Sequence, residues 1–182
     1  SGAPSIKLSE LNDGVLGTIV DQFKTEAKKF GTDEIKRDSK TNEPILQLVV
    51  ILETDLRNWE RVAKIPVIDP SDRNSPQKPA SEDDGKRALY IEPWTNLHAA
   101  VGKATAVHNN GKPSGLRNGA KLGVKVDALE DVGKGNPKKV HAAVYTPPSG
   151  SEEFFQSSAP AQQATPATQP AQPAQPAQPA QE

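Results

Sequence analysis

The spacing of apolar and polar residues divides most of the chain into strand-like segments with one helix. One segment, "PILQLVVILET", is apolar on both faces, which is typical of a strand covered on both sides. The others are shorter or alternate, and the first follows an Asn-Asp-Gly turn signal. The five predicted strands cover residues 14–23, 44–54, 86–91, 121–129 and 138–146.

The last two predicted strands show the clearest alternation. In "KLGVKVDAL" the apolar residues Leu122, Val124 and Val126 share a face that we expect to point inward. In "KKVHAAVYT" alternation separates two sets of side chains. Val140, Ala142 and Val144 lie on one face, and His141, Ala143 and Tyr145 lie on the other.

A helix is predicted between the third and fourth strands, in "TNLHAAVGKATAVHNNGK". Thr95 or Asn96 is a suitable N-cap, because a short polar side chain can accept a hydrogen bond from the first helical turn. Asparagines, Gly111 and Pro113 then predict the end of the helix. The apolar stripe at helical spacing comprises Leu97, Ala100, Val101, Ala104 and Val107.

The order of these elements predicts the fold class. Three strands, a helix and two strands is the order of the OB-fold, a five-stranded Greek-key barrel with the helix at one end. The alternative is an open five-stranded sheet with one helix. We expect a mainly β protein, a five-stranded OB-fold barrel with one helix between strands three and four.

Three connections between the predicted elements stand out. The first, 22–44, contains Phe23, Phe30 and several lysines together with five acidic residues. The second, 55–85, contains Trp59 and is longer than ordinary connections, so it is either functional or partly disordered. The third, "EDVGKGNPKK", reads as a basic hairpin turn.

The C-terminal part has a different composition. From Pro147 onward the chain is rich in proline, alanine and glutamine. Such a segment buries too little apolar surface to offset its conformational entropy. We therefore predict one OB-fold domain over residues 1–147 and a disordered tail over 148–182. Phe154 and Phe155, beside two glutamates, resemble a short docking motif within that tail; the alternative is that they fold back onto an apolar patch of the domain.

Charge and composition narrow the function classes. The chain has 22 basic and 23 acidic side chains; the tail holds three of the acidic ones and none of the basic ones, which leaves 20 acidic against 22 basic. This balance permits nucleic-acid binding only through local clustering. There is no cysteine, and no apolar run reaches transmembrane length. We expect a soluble, cytoplasmic protein.

Catalytic chemistry finds little support in the sequence. His98, His108 and His141 lack metal-ligand spacing, and "GKGNPKK" lacks the spacing of a phosphate-binding loop. Adjacent acidic residues such as Asp83 and Asp84 lie in solvated loops. The sequence therefore predicts no enzyme, no metal site and no cofactor.

Binding of unpaired bases is better supported. If Leu89 and Ile91 point inward, alternation exposes Tyr90, and the same logic exposes Tyr145. Flat rings among lysines suit single strands, because bases stack on rings and lysines attract phosphates. The alternative, left open by the residues alone, is that both tyrosines pack against loops. The candidate DNA-binding residues are Tyr90, Tyr145, Trp94, Trp59, Phe30, Lys86, Arg87, Lys125, Lys138 and Lys139.

The chain resembles the single-stranded DNA-binding proteins encoded by tailed phages of actinobacteria. The segments that carry the resemblance are "GTIVDQF", "LQLVVILETDLR", "DDGKRALYIEPW", "KLGVKVDAL" and "GNPKKVHAAVYTPP". It implies an OB-fold that coats single-stranded DNA during phage replication or recombination, in the cytoplasm of the host cell. One departure concerns the tail: bacterial single-stranded DNA-binding proteins usually end in an acidic tip with a terminal phenylalanine that docks partner enzymes, but this chain ends in "PAQE". Its nearest equivalent for docking replication or recombination proteins is Phe154 and Phe155 in "SEEFF", which stands before the repeats.

Other functions remain open at this point. The barrel could be a protein-interaction module with Trp59 and Trp94 as anchors. It could also bind RNA, because stacking does not distinguish the sugars. A metal-assisted nuclease is disfavoured by the missing ligand cluster. The sequence leaves open whether the protein forms oligomers.

Overall fold

A computed structural model describes residues 2–29 and 31–149 and contains the predicted elements in the predicted order. A short 3-10 turn, Ala80–Glu82, precedes the third strand. The predicted tail beyond residue 149, including Phe154 and Phe155, lies outside the described residues. The elements are β1 (Gly14–Glu26), β2 (Leu46–Glu53), β3 (Lys86–Ile91), α1 (Asn96–Ala106), β4 (Lys121–Glu130) and β5 (Lys138–Thr146).

The five strands form one antiparallel sheet in the order β3-β2-β1-β4-β5. This confirms a mainly β protein with one helix between the third and fourth strands. Within the described residues the two edge strands, β3 and β5, are not joined into a closed barrel. The free edge of β3 instead receives the N-terminal segment: Ser5 pairs in parallel with Ala88, whose amide donates to the Pro4 carbonyl at 2.8 Å.

The core lies on the inner face of the sheet, beneath α1. The helix begins after Thr95, whose hydroxyl oxygen accepts a hydrogen bond from the His98 amide at 3.2 Å, as the sequence predicted. The helix packs mainly against β5 and buries Leu97, Val101 and Ala104 of the predicted stripe. Val107, also predicted in the stripe, follows the helix and is exposed. The core includes Val50, Leu52, Leu89, Ile91, Leu97, Val101, Leu122 and Val124.

Tyr145 belongs to this core, so the prediction that it faces outward is wrong. It lies opposite Leu122, which is fully buried, and its ring makes an edge contact with His108. The alternation along β5 was predicted with the right spacing but with the wrong face inward. Val144 is the exposed neighbour, with 64% of its surface accessible.

The long strand β1 contains a β-bulge that reverses the alternation of its side chains. The register to β2 shifts between Ile19 and Asp21, which leaves Val20 as the extra residue. Before the bulge Val15 and Ile19 point into the core, whereas after it Phe23 points outward. The bulge therefore decides which side chains of β1 reach the outer face of the sheet.

Among the described residues, no helix is both long enough and apolar enough to cross a membrane.

Candidate nucleic-acid interface

A row of three side chains crosses the outer face of β1, β2 and β3. Phe23 lies opposite Val49, and Val49 lies opposite Tyr90. The two rings are 49% and 43% exposed, as expected for groups that can contact a ligand. Val49 is only 1% exposed although it lies outside the core cluster. We call Phe23, Val49 and Tyr90 the aromatic row.

The aromatic row borders a shallow cleft of about 500 Å³. Adjacent strands lie roughly 4.8 Å apart, so the backbones that carry the two rings are separated by about 10 Å. The surrounding side chains are mostly small or polar, namely Ser5, Thr25, Glu26, Lys28 and Gln47. The arrangement offers flat apolar surfaces on an otherwise polar, accessible face, which suits planar ligands that carry charge at their edges.

Lysines beside the ends of β1 and β3 are paired with carboxylates. Lys28 bonds Asp33 at 2.8 Å, which raises the pKa of the lysine and lowers that of the aspartate. Lys36 bonds Glu92 at 2.7 Å, and Lys86 lies 3.4 Å from Asp84. Surface pairs of this kind are worth roughly 0–1 kcal/mol, so a phosphate can replace the carboxylate at little cost. These lysines bind the phosphates of a polyanion only when they release their carboxylate partners.

The predicted basic residues are not gathered at one place. Lys86 lies on β3, whereas Lys138 and Lys139 lie on β5 at the other edge of the sheet. Lys125, on β4, bonds Asp127 at 2.7 Å, and Lys138 bonds Glu130 at 3.1 Å. Their distribution indicates a charged surface that extends across the whole sheet, not a single basic cluster.

Arg87 is buried and cannot contact DNA, so its prediction as a DNA-binding residue is wrong. Its guanidinium donates two hydrogen bonds to the Asp83 carboxylate, both at 2.8 Å, and the side chain has no accessible surface. Alternation places Arg87 on the inner face with Leu52, its partner on β2. The hydrogen bond from Arg87 lowers the pKa of Asp83 from 3.8 to about 2.

Trp59 is a second candidate that the structure places in the interior. It is 9% exposed, its amide donates to Asp83 at 2.7 Å, and its indole Nε1 donates to the Lys78 carbonyl at 3.1 Å. The carboxylate of Asp83 thus holds both Trp59 and Arg87. These contacts fix the long 55–85 connection against the sheet, so Trp59 is a structural residue of this connection and not an exposed anchor.

Two aromatic candidates remain, Trp94 and Phe30. Trp94 is 78% exposed on the turn between β3 and α1, with a left-handed φ of 61°. A bulky residue is unusual in that region and costs roughly 1 kcal/mol or more. Phe30 lies outside the described residues.

Sequence reasoning missed Phe23 as a site residue. The predicted strand alternation could not place its side chain, because the extra residue of the bulge changes the phase just before it. His141, expected on the outer face, is half-buried instead. Its Nδ1 is buried without a hydrogen-bond partner, and burial lowers the pKa of the ring.

The described residues contain no cluster of histidine and acidic side chains that could hold a metal ion. Comparisons with protein-family models, curated proteins and solved structures gave no match for this chain.

Proposed function

We propose that the protein binds single-stranded DNA without catalysis, through the outer face of β1, β2 and β3. The observation that carries the proposal is the aromatic row, in which Phe23 and Tyr90 present half-exposed rings on either side of Val49. Base–aromatic stacking contributes about 1–3 kcal/mol per base, independent of sequence. Within this proposal the sheet is an OB-type fold, and the bound strand is coated during phage replication or recombination.

The surrounding lysines add an electrostatic contribution to the proposed binding. Lys28 lines the same cleft, Lys86 begins β3, and Lys36 bonds Glu92 just after β3; each of the three already holds one carboxylate. Phosphates replace those carboxylates and release counterions, so affinity falls as salt rises. Because each lysine exchanges one anion for another, we expect a shallower salt dependence than a free basic cluster would give.

The test compares ring removal with ring retention. Tyr90→Ala and Phe23→Ala should each weaken fluorescent oligo-dT binding by roughly 1–3 kcal/mol, measured by anisotropy. Tyr90→Phe keeps the ring and should bind like the parent. Equal affinity of Tyr90→Ala and Tyr90→Phe, in folded proteins, would remove the aromatic row from the interface.

Oligo-rU is measured in the same titration to separate DNA from RNA binding. The 2′-hydroxyl distinguishes the two nucleic acids at a given site. A preference for oligo-dT over oligo-rU is the result that the proposal expects. Tighter binding of oligo-rU would assign the same surface to RNA.

A further inference from the structure

A second apolar surface lies on the outer face, around the other half of β1. Leu16 lies opposite Gly123, and Gly123 lies opposite Val144. Leu16 and Val144 are 63% and 64% exposed, so this apolar pair faces solvent. A Cβ at position 123 would lie 2.7 Å from Val144 Cγ2 and 3.2 Å from Leu16 Cδ1, so both side chains close over the glycine.

These three residues border a shallow depression of about 360 Å³. Its floor is formed by small residues of the neighbouring row, Gly14 and Ala142. We call this surface the β1–β4–β5 trough. Exposed apolar surface of this kind commonly marks a site of interaction.

The bulge in β1 places the trough and the aromatic row on the same face. Leu16 and Phe23 are seven positions apart, and in a regular strand an odd separation puts two side chains on opposite faces. The extra residue Val20 restores the phase, so that both point outward. Along the strand the two positions are separated by roughly 20 Å.

The charge of the trough fits an anionic polymer. Lys125 is the charged residue that lines it, and no carboxylate does so among the described residues. Lys125 is bound to Asp127 at 2.7 Å, but both side chains are about half exposed, so the pair is easily exchanged. Asp21 lies between the trough and the aromatic row, and its carboxylate accepts a hydrogen bond from the Gln22 amide.

We infer that the DNA strand held by the aromatic row continues along β1 and lays further bases over the trough. This inference rests on the proposed function and extends it to the length of strand that one chain covers. A nucleobase fits the trough because it is flat and apolar on its faces, while its phosphate reaches Lys125. At about 3.4 Å per stacked nucleotide, 20 Å corresponds to roughly six nucleotides, and to fewer if the strand is stretched.

The experiment compares a short and a long ligand. Fluorescent oligo-dT of about 4 and about 16 nucleotides, the range of site sizes known for one OB domain, is titrated with the full chain. The test variant is Leu16→Ser with Val144→Ser. The control is Val132→Ser, an exposed valine of the β4–β5 connection outside the residues that line the trough.

The double variant should bind the long oligonucleotide at least fivefold more weakly and the short one within twofold of the parent. The control should leave both affinities unchanged. Unchanged affinity for the long ligand would overturn the inference while leaving the aromatic row intact. Failure of the parent to bind either ligand would instead reject the proposed function and, with it, this extension.

A second copy of the chain is the competing occupant of the trough. Sedimentation of the parent and of the double variant decides between the two. One result would overturn the inference: the parent is a dimer, the variant is a monomer, and the affinity per chain for the long ligand is unchanged. The trough would then be a self-association surface. An unchanged oligomeric state together with the fivefold loss supports it.

Discussion

Replacement of Arg87 by alanine separates a buried structural role from the surface role that the sequence suggested. The variant leaves the Asp83 carboxylate buried without its cationic partner. Breaking a buried pair in this way typically costs about 3–5 kcal/mol. Because domains of this size are stable by only about 5–15 kcal/mol, Arg87→Ala should lose a large part of the total free energy of unfolding.

The depressed pKa of Asp83 makes the stability depend on pH, because Arg87 and the amides of Gly85 and Trp59 bond its charged form. A fall from 3.8 to about 2 corresponds to about 2 kcal/mol of stability. Since the folded-state pKa is depressed, this contribution is complete above pH 3.8 and is lost as the pH falls towards about 2. Asp83→Asn should lack this part of the acid dependence.

Urea unfolding, monitored by the fluorescence of the buried Trp59, measures the effect. The matched control is Lys86→Ala, because Lys86 is adjacent, exposed and only 3.4 Å from a surface carboxylate. The control should lose no more than about 1 kcal/mol. Equal small losses of stability in both variants, with weaker oligo-dT binding by folded Arg87→Ala, would refute the buried role and restore Arg87 to the interface.

Three further predictions follow from single contacts. Burial lowers the pKa of His141 below 6.5, so stability should decline as the pH falls from about 7 to about 5, and His141→Gln should flatten that decline in thermal melts. Asp127→Asn frees Lys125 from its partner, so oligo-dT titrations at several salt concentrations should give tighter binding and a steeper salt slope. Gly17→Ala would place a Cβ 2.5 Å from the Glu53 carbonyl oxygen and force β1 from β2, so urea unfolding should show a loss of about 1–3 kcal/mol.

The secondary structure could be predicted from the sequence because local patterns determine it. Residues 86–91 and 138–146 were predicted with the bounds that the structure shows. Thr95, one of the two predicted cap residues, caps the helix, and it could be predicted because capping chemistry is local. Barrel closure depends on which segment pairs with the edge of β3, and the N-terminal segment around Ser5 occupies that edge. No periodic pattern in the sequence predicts the pairing of this segment with β3.

The candidate site was predicted only in part, for physical reasons that differ between residues. Tyr90 is exposed as expected, whereas Tyr145 is buried. The prediction for Tyr145 failed because both faces of β5 carry apolar residues, and alternation alone does not show which face points inward. Arg87 follows Asp83 and Asp84 closely in the sequence, and this proximity is the sequence feature that could have indicated its ion pair with Asp83. The position of Phe23 depends on a bulge, which hydrophobic alternation cannot reveal.

The central claim is that unpaired bases stack on Phe23 and Tyr90. The most direct measurement is a two-way comparison in which oligo-dT of about 4 nucleotides, too short to reach the trough, and an abasic strand of equal length are each titrated with the parent and with Phe23→Ala/Tyr90→Ala. The account predicts that removing the bases weakens binding to the parent by about 1–3 kcal/mol per stacked base and has little effect on the double variant. An equal loss in both proteins would show that the bases do not contact these rings and would contradict the claim.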